Sequence, residues 1–215
     1  MQKENRVNSF YWGCHFVINL YMRSLCRLEL YGLENIPAEG GLIIASNHTS
    51  IADPFLLGST VPRELWFMAK KELFKSFLLK NIISRLNAFP VDRFGFDIDV
   101  IRQSLAVLKQ GKALVMFPEG TRSKDGIIRK GKIGIGMLAK KAGIPIVPVY
   151  MENTRKAWMN FIRGKNLRVV FGQIIEVTWI NTRRESKDGY IEITDEVMSR
   201  IKILKQKITS LSQDA

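Results

Sequence analysis

The first thirty residues carry apolar side chains at helical spacing. From position 7 to position 28 these residues recur in steps of three and four, while polar residues fill the narrow remaining face. The apolar set is Val7, Phe10, Tyr11, Cys14, Val17, Ile18, Tyr21, Leu25 and Leu28. The spacing predicts an amphipathic helix, which Gly13 could divide in two.

The polar face decides how this helix would meet a membrane. A helix that crosses a bilayer needs about 20 mostly apolar residues, and here His15, Asn19, Arg23 and Arg27 interrupt the run. Trp, Phe and Tyr on the wide face suit the plane of the interface. We therefore predict an amphipathic membrane-surface anchor over residues 1–30. The alternative is a helix that packs on its own domain.

A second mixture of basic and apolar side chains occupies residues 70–85. Its cations are Lys70, Lys71, Lys75, Lys80 and Arg85. Such a stretch could rest on anionic lipid. It could equally be a pair of helices that covers a sheet and keeps its lysines at the rim.

The rest of the chain alternates short apolar runs with helical patterns. The apolar runs lie at 41–46, 64–69, 88–91, 113–117, 145–150, 167–171 and 173–178, and the helical patterns at about 97–110, 132–142 and 188–211. Continuously apolar runs are typical of strands covered on both faces. We predict an α/β domain over residues 31–215, with a mostly parallel sheet flanked by helices. Sites in such sheets form beyond the carboxyl ends of the strands.

Charge narrows the range of partners. The 215 residues include 33 Lys and Arg against 20 Asp and Glu, a formal net charge of +13. This excess suits nucleic acid, an anionic membrane or a phosphorylated substrate, although a lysine-rich soluble surface would look the same. The chain lacks a nucleic-acid-binding motif, so we expect no nucleic-acid partner. Two histidines are too few for a His-rich metal site.

The first chemical cluster follows the run at 41–46 and contains Asn47, His48 and Asp53. Histidine is the usual general base near neutral pH. A carboxylate on its other nitrogen fixes the tautomer and stabilises the imidazolium that forms. Asp53 followed by Pro54 is also typical of a helix start, with Asp as N-cap. The two roles are compatible.

The second cluster is the turn at 117–123, Phe-Pro-Glu-Gly-Thr-Arg-Ser. Arg122 could clamp a phosphate with two parallel hydrogen bonds, and Thr121 adds a hydroxyl donor. Glu119 could hold Arg122 or touch a polar ligand. A strand-ending turn with a surface ion pair is the ordinary alternative. A third cluster, at 89–93, ends in Arg93, which could also pair with Asp92.

Together these clusters resemble the glycerolipid acyltransferase family, whose best-known members are the 1-acyl-glycerol-3-phosphate (lysophosphatidate) acyltransferases. The likeness rests on four ordered blocks over residues 41–150: Asn-His-x4-Asp at 47–53, Phe-Pro-Val-Asp-Arg at 89–93, the complete turn at 117–123, and Val147-Pro148. Two details depart from the family pattern. Asn87-Ala88 replaces an opening Gly in the second block, and Arg129 replaces an aromatic residue before Lys130-Gly131.

The resemblance implies a reaction and a set of roles. His48 would be the base and Asp53 its partner, while Arg93, Glu119, Gly120 and Arg122 would bind the glycerol phosphate of the acceptor. An acyl group would pass from acyl-CoA or acyl-carrier protein to the hydroxyl of lysophosphatidate, giving phosphatidate, with neither cofactor nor metal. The enzyme would act as a peripheral or monotopic protein at the cytoplasmic face of the cell membrane. The alternatives are another lysolipid or glycerol-3-phosphate as acceptor, or a non-catalytic lipid-binding module.

Overall fold

The fold is built on one seven-stranded sheet, seen in a computed structural model that describes residues 8–91 and 98–211. The strands are β1 (Leu28–Tyr31), β2 (Leu42–Ser46), β3 (Leu65–Lys70), β4 (Ala88–Val91), β5 (Ala113–Met116), β6 (Ile146–Glu152) and β7 (Leu167–Phe171), in the order β1-β7-β6-β2-β5-β3-β4. Five neighbouring strands, from β6 to β4, run parallel. β7 is antiparallel to β6, and β1 is parallel to β7. The predicted α/β class with a mostly parallel sheet is confirmed.

Helices cover both faces of this sheet. They are α1 (Ser9–Cys26), α2 (Asp53–Thr60), α3 (Phe77–Arg85), α4 (Ile98–Lys109), α5 (Gly134–Ala142), α6 (Asn160–Arg163), α7 (Val177–Asn181) and α8 (Lys187–Leu211). In β2 every residue is buried: Ile43 and Ala45 face the core shared with α5 and α8, whereas Leu42 and Ile44 face the core shared with α1 and α2. Two covered faces explain why the central strands are continuously apolar.

The predicted elements differ from the structure at two places. Residues 173–178 do not form a strand: Ile175 makes only an isolated bridge to Ile146, and α7 begins at Val177. Conversely, Leu28 continues the helical spacing but begins β1. The reason is Arg27, whose left-handed backbone (φ 54°) ends α1 and whose N–H bonds the Met22 carbonyl.

Helix α1 packs on the domain through one face. Tyr11, Met22 and Cys26 are buried, and the Asn19 side chain donates to the Ser59 carbonyl of α2 at 2.6 Å. Gly13 does not divide the helix. The predicted division at residue 30 stays a prediction, although α1 ends at Cys26 and the next strand already belongs to the sheet.

The outer face of α1 remains strongly apolar. Its exposed side chains include Phe16, Val17, Leu20, Tyr21 and Leu25. Across residues 8–91 and 98–211, no helix has both the length and the apolar character needed to cross a bilayer. Packing and exposure therefore coexist in this helix, and an anchoring role stays a prediction.

The stretch at 70–85 does not bury its apolar side chains against the sheet. It forms a short 3-10 turn at Lys71–Phe74 and then α3, and neither contains a buried residue. Phe77 is 83% exposed. The Arg85 carbonyl of α3 accepts from Asn8 Nδ2 at 2.8 Å, which ties the end of α3 to the start of α1.

Candidate active site

The loop after β2 holds a histidine–carboxylate pair. His48 Nδ1 lies 2.7 Å from Asp53 Oδ2, and the Asp53 side chain is fully buried. A carboxylate at this distance requires the proton on Nδ1, so Nε2 of the neutral ring is left as a proton acceptor. This pairing is the arrangement that the sequence predicts.

Asp53 also organises the loop that carries His48. The same Oδ2 accepts from the backbone N–H groups of Thr49 and Ser50 at 2.7 and 2.8 Å. The N-cap prediction for Asp53 is wrong: Ala52 is the N-cap, and Asp53 is the first residue of α2. In that first turn, its negative charge is stabilised by the helix dipole.

Asn47 fixes the other end of the loop. Its side chain makes a pair of hydrogen bonds with the backbone of Met151 in β6, accepting at 2.8 Å and donating at 3.0 Å. Asn47 was recognised in the sequence only as a neighbour of His48. The structure gives it a positioning role, because it holds the start of the loop against the adjacent strand.

The turn at 117–123 lies directly beside His48. The Phe117 ring stacks on the imidazole, with centroids 4.0 Å apart, and the Ser123 N–H donates to the His48 carbonyl at 2.7 Å. β5 is the neighbour of β2 in the sheet, so their carboxyl ends bring the two clusters together. The expected meeting of the clusters at one edge is thus observed.

Glu119 bridges the His48 loop and the segment that follows the turn at 117–123. Its carboxylate is buried and accepts from the His48 N–H at 3.4 Å and from the Arg129 N–H at 3.0 Å. Both oxygens are therefore used by backbone groups, and Glu119 supports the position of His48. Direct binding of an acceptor by Glu119 stays a prediction.

The outer part of the turn exposes its polar groups. Gly120 has φ 73°, a left-handed conformation that favours glycine. A Cβ there would lie 2.7 Å from Lys132 Cε. Thr121 and Arg122 are exposed at the tip. Their proposed contacts with a ligand stay predictions.

The turn continues into an ordered loop around Asp125. The hydrogen bonds from the Ser123 hydroxyl and the Ile127 N–H lower the pKa of Asp125 to about 2. The carboxylate is therefore charged at neutral pH, and it bonds Arg129 at 2.9 Å. These contacts hold the segment that follows Arg122.

Three cavities meet at the His48 loop. The apolar cavity, about 340 Å³, has walls from α1, α2, β3 and α3 and includes Ile51. The His48 cavity, about 250 Å³, is lined by His48, Gly120 and Lys132. The β6 cavity, about 410 Å³, includes Thr49 and the residues that follow β6. Met68 of β3 is a lining residue of both the apolar cavity and the His48 cavity.

Lys132 lies at the site although it was not predicted from the sequence. The predicted position of Arg93 stays a prediction. Lys132 lies among closely spaced glycines just before α5, and only its approach to Gly120 reveals its place in the site. Arg93 lies outside the described residues. β4 does end at Val91, at the same edge of the sheet as His48.

The family model described as Acyltransferase matches residues 27–152, which is more than half of the chain and contains the whole His48 loop and the turn at 117–123. This chain belongs to the acyltransferase family. It is an O-acyltransferase, and its resemblance to the lysophosphatidate acyltransferases is confirmed.

Individual relatives support the same assignment. A 1-acyl-sn-glycerol-3-phosphate acyltransferase of Bacillus subtilis is 29% identical over 186 residues, which are 86% of this acyltransferase and 91% of the relative. A chloroplastic enzyme of the same name from Arabidopsis thaliana is 30% identical over 149 residues, 66% of this chain and 42% of its own. The chain thus spans less than half of the plant relative's length.

A solved structure confirms the architecture. The crystal structure of the 1-acyl-sn-glycerophosphate acyltransferase of Thermotoga maritima superimposes with a TM-score of 0.70 at 24% identity, covering 95% of this chain and 84% of the other. The fold of this acyltransferase is therefore the fold of that protein. Within the described residues no group of three His, Cys, Asp or Glu side chains could hold a metal ion.

Proposed function

We propose that this acyltransferase moves a fatty acyl group from an acyl thioester to the free hydroxyl of lysophosphatidate and so forms phosphatidate. The observation that carries the proposal is the buried His48–Asp53 pair, 2.7 Å apart, on the wall of a cavity that also contains Lys132. A base beside a cation suits an acceptor with both a hydroxyl and a phosphate. Relatives of similar length bear the corresponding name.

The reaction proceeds by direct transfer. Nε2 of His48 takes the proton of the acceptor hydroxyl while that oxygen attacks the thioester carbonyl carbon. The tetrahedral intermediate collapses, the C–S bond breaks, and the thiolate receives the proton from the imidazolium. Asp53 stabilises the imidazolium throughout. The scheme does not use Ser50 as a nucleophile; its Oγ accepts from the Ala52 N–H at 3.1 Å within the loop.

Positioning of the acceptor supplies much of the rate. Arg122 lies on the turn beside His48, and Lys132 lies just before α5. In this proposal both side chains bind the phosphate of lysophosphatidate, with Arg93 as a third cation. Cations that hold the phosphate fix the hydroxyl near Nε2, and such orientation is worth about 7–11 kcal/mol in well-arranged reactions. Glu119 contributes by holding the His48 loop.

The apolar cavity accommodates the acyl chain of the donor. Its walls are almost entirely apolar and include Phe55, Phe67 and Leu79. Its lining includes Ile51, three residues from His48, and it shares Met68 with the lining of the His48 cavity. A chain bound there would place its thioester beside the base. Burial of each methylene contributes about 0.8 kcal/mol.

The enzyme takes its lipids from a membrane surface. Helices α1 and α3 both line the apolar cavity and both carry exposed apolar side chains, such as Phe16 and Leu20 on α1 and Phe77 and Leu78 on α3. Lysines 71, 75 and 80 add attraction to anionic lipid. Because the acyl donors are polar and highly charged, we place this surface at the cytoplasmic face of the cell membrane.

An acceptor panel tests the reaction. Labelled acyl-CoA and acyl-carrier protein are supplied with lysophosphatidate, glycerol-3-phosphate and uncharged lysolipids, and products are read by mass spectrometry. We expect phosphatidate from lysophosphatidate, no product with His48→Ala, and a higher acceptor KM with Arg122→Ala. Arg102→Ala, an exposed arginine on α4, is the matched control. Full activity in His48→Ala, or a preference for another acceptor, would overturn the proposal.

Vesicle binding tests the surface separately. Phe77→Ser with Leu78→Ser removes two exposed apolar side chains and should weaken sedimentation with anionic vesicles without lowering Tm. Ile203→Ser is the control, since Ile203 is exposed on α8 at the opposite face of the sheet. Equal vesicle binding by both variants would rule out this face as the membrane surface.

A further inference from the structure

The β6 cavity has the position and charge of a second anion site. We propose that it binds the phosphate group at the end of the phosphopantetheine arm, which acyl-CoA and acyl-carrier protein share. The inference rests on the proposed function, since it names how the donor of that reaction is held. Its evidence comes from residues that the acceptor site does not use.

The sheet order places this cavity on the β6 side of the His48 loop, and Gly126, which follows the turn at 117–123, also lines it. β2 lies between β5 and β6, so the His48 loop is flanked by the turn at 117–123 on one side and by residues 153–156 on the other. Thr49 borders the β6 cavity and bonds the hydroxyl of Thr154 at 2.7 Å. A ligand in this cavity would therefore lie beside Thr49, which follows His48 in the chain.

The cavity is positively charged. Its walls carry Arg155, Lys156 and Arg163. Of its described lining residues, Glu152 alone is acidic, and Arg168 lies 3.4 Å from that carboxylate. Three cations against one compensated acid create a field that attracts a phosphate. In contrast to the apolar cavity, these walls offer mainly polar groups.

The loop that carries Arg155 and Lys156 is held in a fixed shape, and Arg163 is the last residue of α6. Asn153 and Lys156 both adopt left-handed backbone conformations, φ 58° and 56°, which non-glycine residues rarely keep without a reason. Asn153 Nδ2 donates to the Asn166 carbonyl at 2.9 Å, and Asn160 Nδ2 donates to the Asn153 carbonyl at 3.1 Å. A guanidinium N–H of Arg155 donates to the Lys124 carbonyl. The anion site is therefore preformed.

Two anionic substrates explain why two basic cavities exist. The acceptor and the donor must occupy the site together, and their phosphates repel each other. Cations on either side of His48 separate these charges and leave the hydroxyl and the thioester to meet at the loop. The acyl chain enters the apolar cavity past Ile51, while the phosphopantetheine arm leads past Thr49.

A series of donors with the same acyl chain tests this assignment. Acyl-CoA and acyl-4′-phosphopantetheine carry the phosphate of the phosphopantetheine arm, whereas acyl-pantetheine lacks it. Acyl-carrier protein is the fourth donor in the series. For Arg155→Ala with Arg163→Ala we expect the KM for phosphorylated donors to rise about tenfold, equivalent to about 1.4 kcal/mol. The KM for acyl-pantetheine and for lysophosphatidate should stay within twofold. Arg155→Lys with Arg163→Lys retains the charges and should recover most of the affinity.

A matched control removes two charges at the other edge of the sheet. Lys109→Ala with Lys187→Ala affects exposed lysines at the end of α4 and the start of α8. A rise for acyl-CoA, acyl-4′-phosphopantetheine and acyl-carrier protein alike supports the site. A rise confined to acyl-CoA, or to acyl-carrier protein, overturns the assignment to their shared phosphate. An unchanged KM for every phosphorylated donor overturns it. An equal rise for lysophosphatidate, or weaker vesicle binding, also overturns it and points to lipid headgroups instead.

Binding of free CoA separates this inference from the reaction itself. Calorimetry with the full chain requires no turnover, so the result holds even if lysophosphatidate is not the acceptor. We expect CoA to bind the wild type about tenfold more tightly than Arg155→Ala with Arg163→Ala, and added salt to reduce the difference. Equal affinity for CoA in the two proteins refutes the site, whatever the activity measurements show.

Discussion

Replacing Asp53 by asparagine separates the charge of this carboxylate from its geometry. Oδ2 accepts from His48 Nδ1 and from the backbone N–H groups of Thr49 and Ser50, all within 2.8 Å. Because these two N–H groups are fixed, they require an acceptor at that position. An asparagine therefore places its carbonyl oxygen there and its NH₂ where Oδ1 stood. His48 keeps its proton on Nδ1 and its free Nε2.

The expected loss of rate follows from the missing charge alone. A charged hydrogen bond exceeds a neutral one by about 0.5–2 kcal/mol, while two unit charges 4 Å apart attract by about 4 kcal/mol at an effective dielectric constant of about 20. We expect a loss between these values, about 2–3 kcal/mol, which lowers kcat roughly 30- to 150-fold. A wrong tautomer, by comparison, costs about 10⁴-fold in a serine protease triad.

Stability must be measured beside the rate. Asp53 Oδ1 is buried and has no hydrogen-bond partner among the described residues, so an NH₂ there would be an unsatisfied donor and cost about 1–3 kcal/mol. Asp53→Ala removes the acceptor of two backbone N–H groups and should cost about 2–6 kcal/mol. Rates are therefore compared at a temperature where circular dichroism shows each variant folded. Asp188→Asn, exposed on α8, is the matched control.

Two outcomes would refute this reasoning. Unchanged kcat in folded Asp53→Asn would mean that the carboxylate charge does not stabilise an imidazolium, and His48 would lose its role as base. A fall near 10⁴-fold would mean that the amide has turned over and selected the other tautomer, so the backbone N–H groups of Thr49 and Ser50 would not control its orientation.

Three further predictions address the support of the site. Glu119→Gln leaves one of two backbone N–H groups without its acceptor, so it should lower the free energy of unfolding by about 1–3 kcal/mol and reduce kcat; an unaltered Tm and kcat would contradict its bridging role. Gly120→Ala forces a left-handed alanine against Lys132 and should cost about 1–2 kcal/mol with a raised acceptor KM, whereas an unchanged KM would exclude Lys132 from acceptor binding. Tyr11 donates to the Gly58 carbonyl and accepts from the Leu65 N–H, so Tyr11→Phe should cost about 1–3 kcal/mol in urea unfolding. Burial raises the pKa of Tyr11 to about 12. Because the tyrosine of the unfolded chain loses its proton near pH 10, the contribution of Tyr11 to the free energy of unfolding is complete below pH 10 and declines towards pH 12. The free energy of unfolding of Tyr11→Phe should therefore decline less over that range.

The chemistry of the site was predictable because parallel strands deliver their following loops to one edge. Continuous apolar runs located β2 and β5, so the residues after both strands were expected at the same edge of the sheet. That the two strands are neighbours is known only from the structure. The sequence could not show how Asn47 holds β6 or how Glu119 spans two loops. Those contacts join residues 104 and 71 positions apart and depend on the final register of the strands.

The errors in the fold have equally local causes. Leu28 falls in phase with the preceding helix, and only the left-handed backbone of Arg27 separates helix from strand. Residues 173–178 have the composition of a strand, but after the bridge at Ile175 the chain turns into α7. Apolar periodicity reports which side chains favour burial, and at both places a backbone change overrides it.

The packing of α1 links the proposed membrane surface to the proton transfer. Tyr11 and Asn19 bond carbonyls of α2, and α2 begins with Asp53, the partner of the base. One face of α1 thus contacts α2, while the other exposes Phe16 and Leu20. A helix that served only as an anchor would not need these partly buried hydrogen bonds to α2. In the proposed function, the same helix would therefore set the distance between the lipid surface and His48.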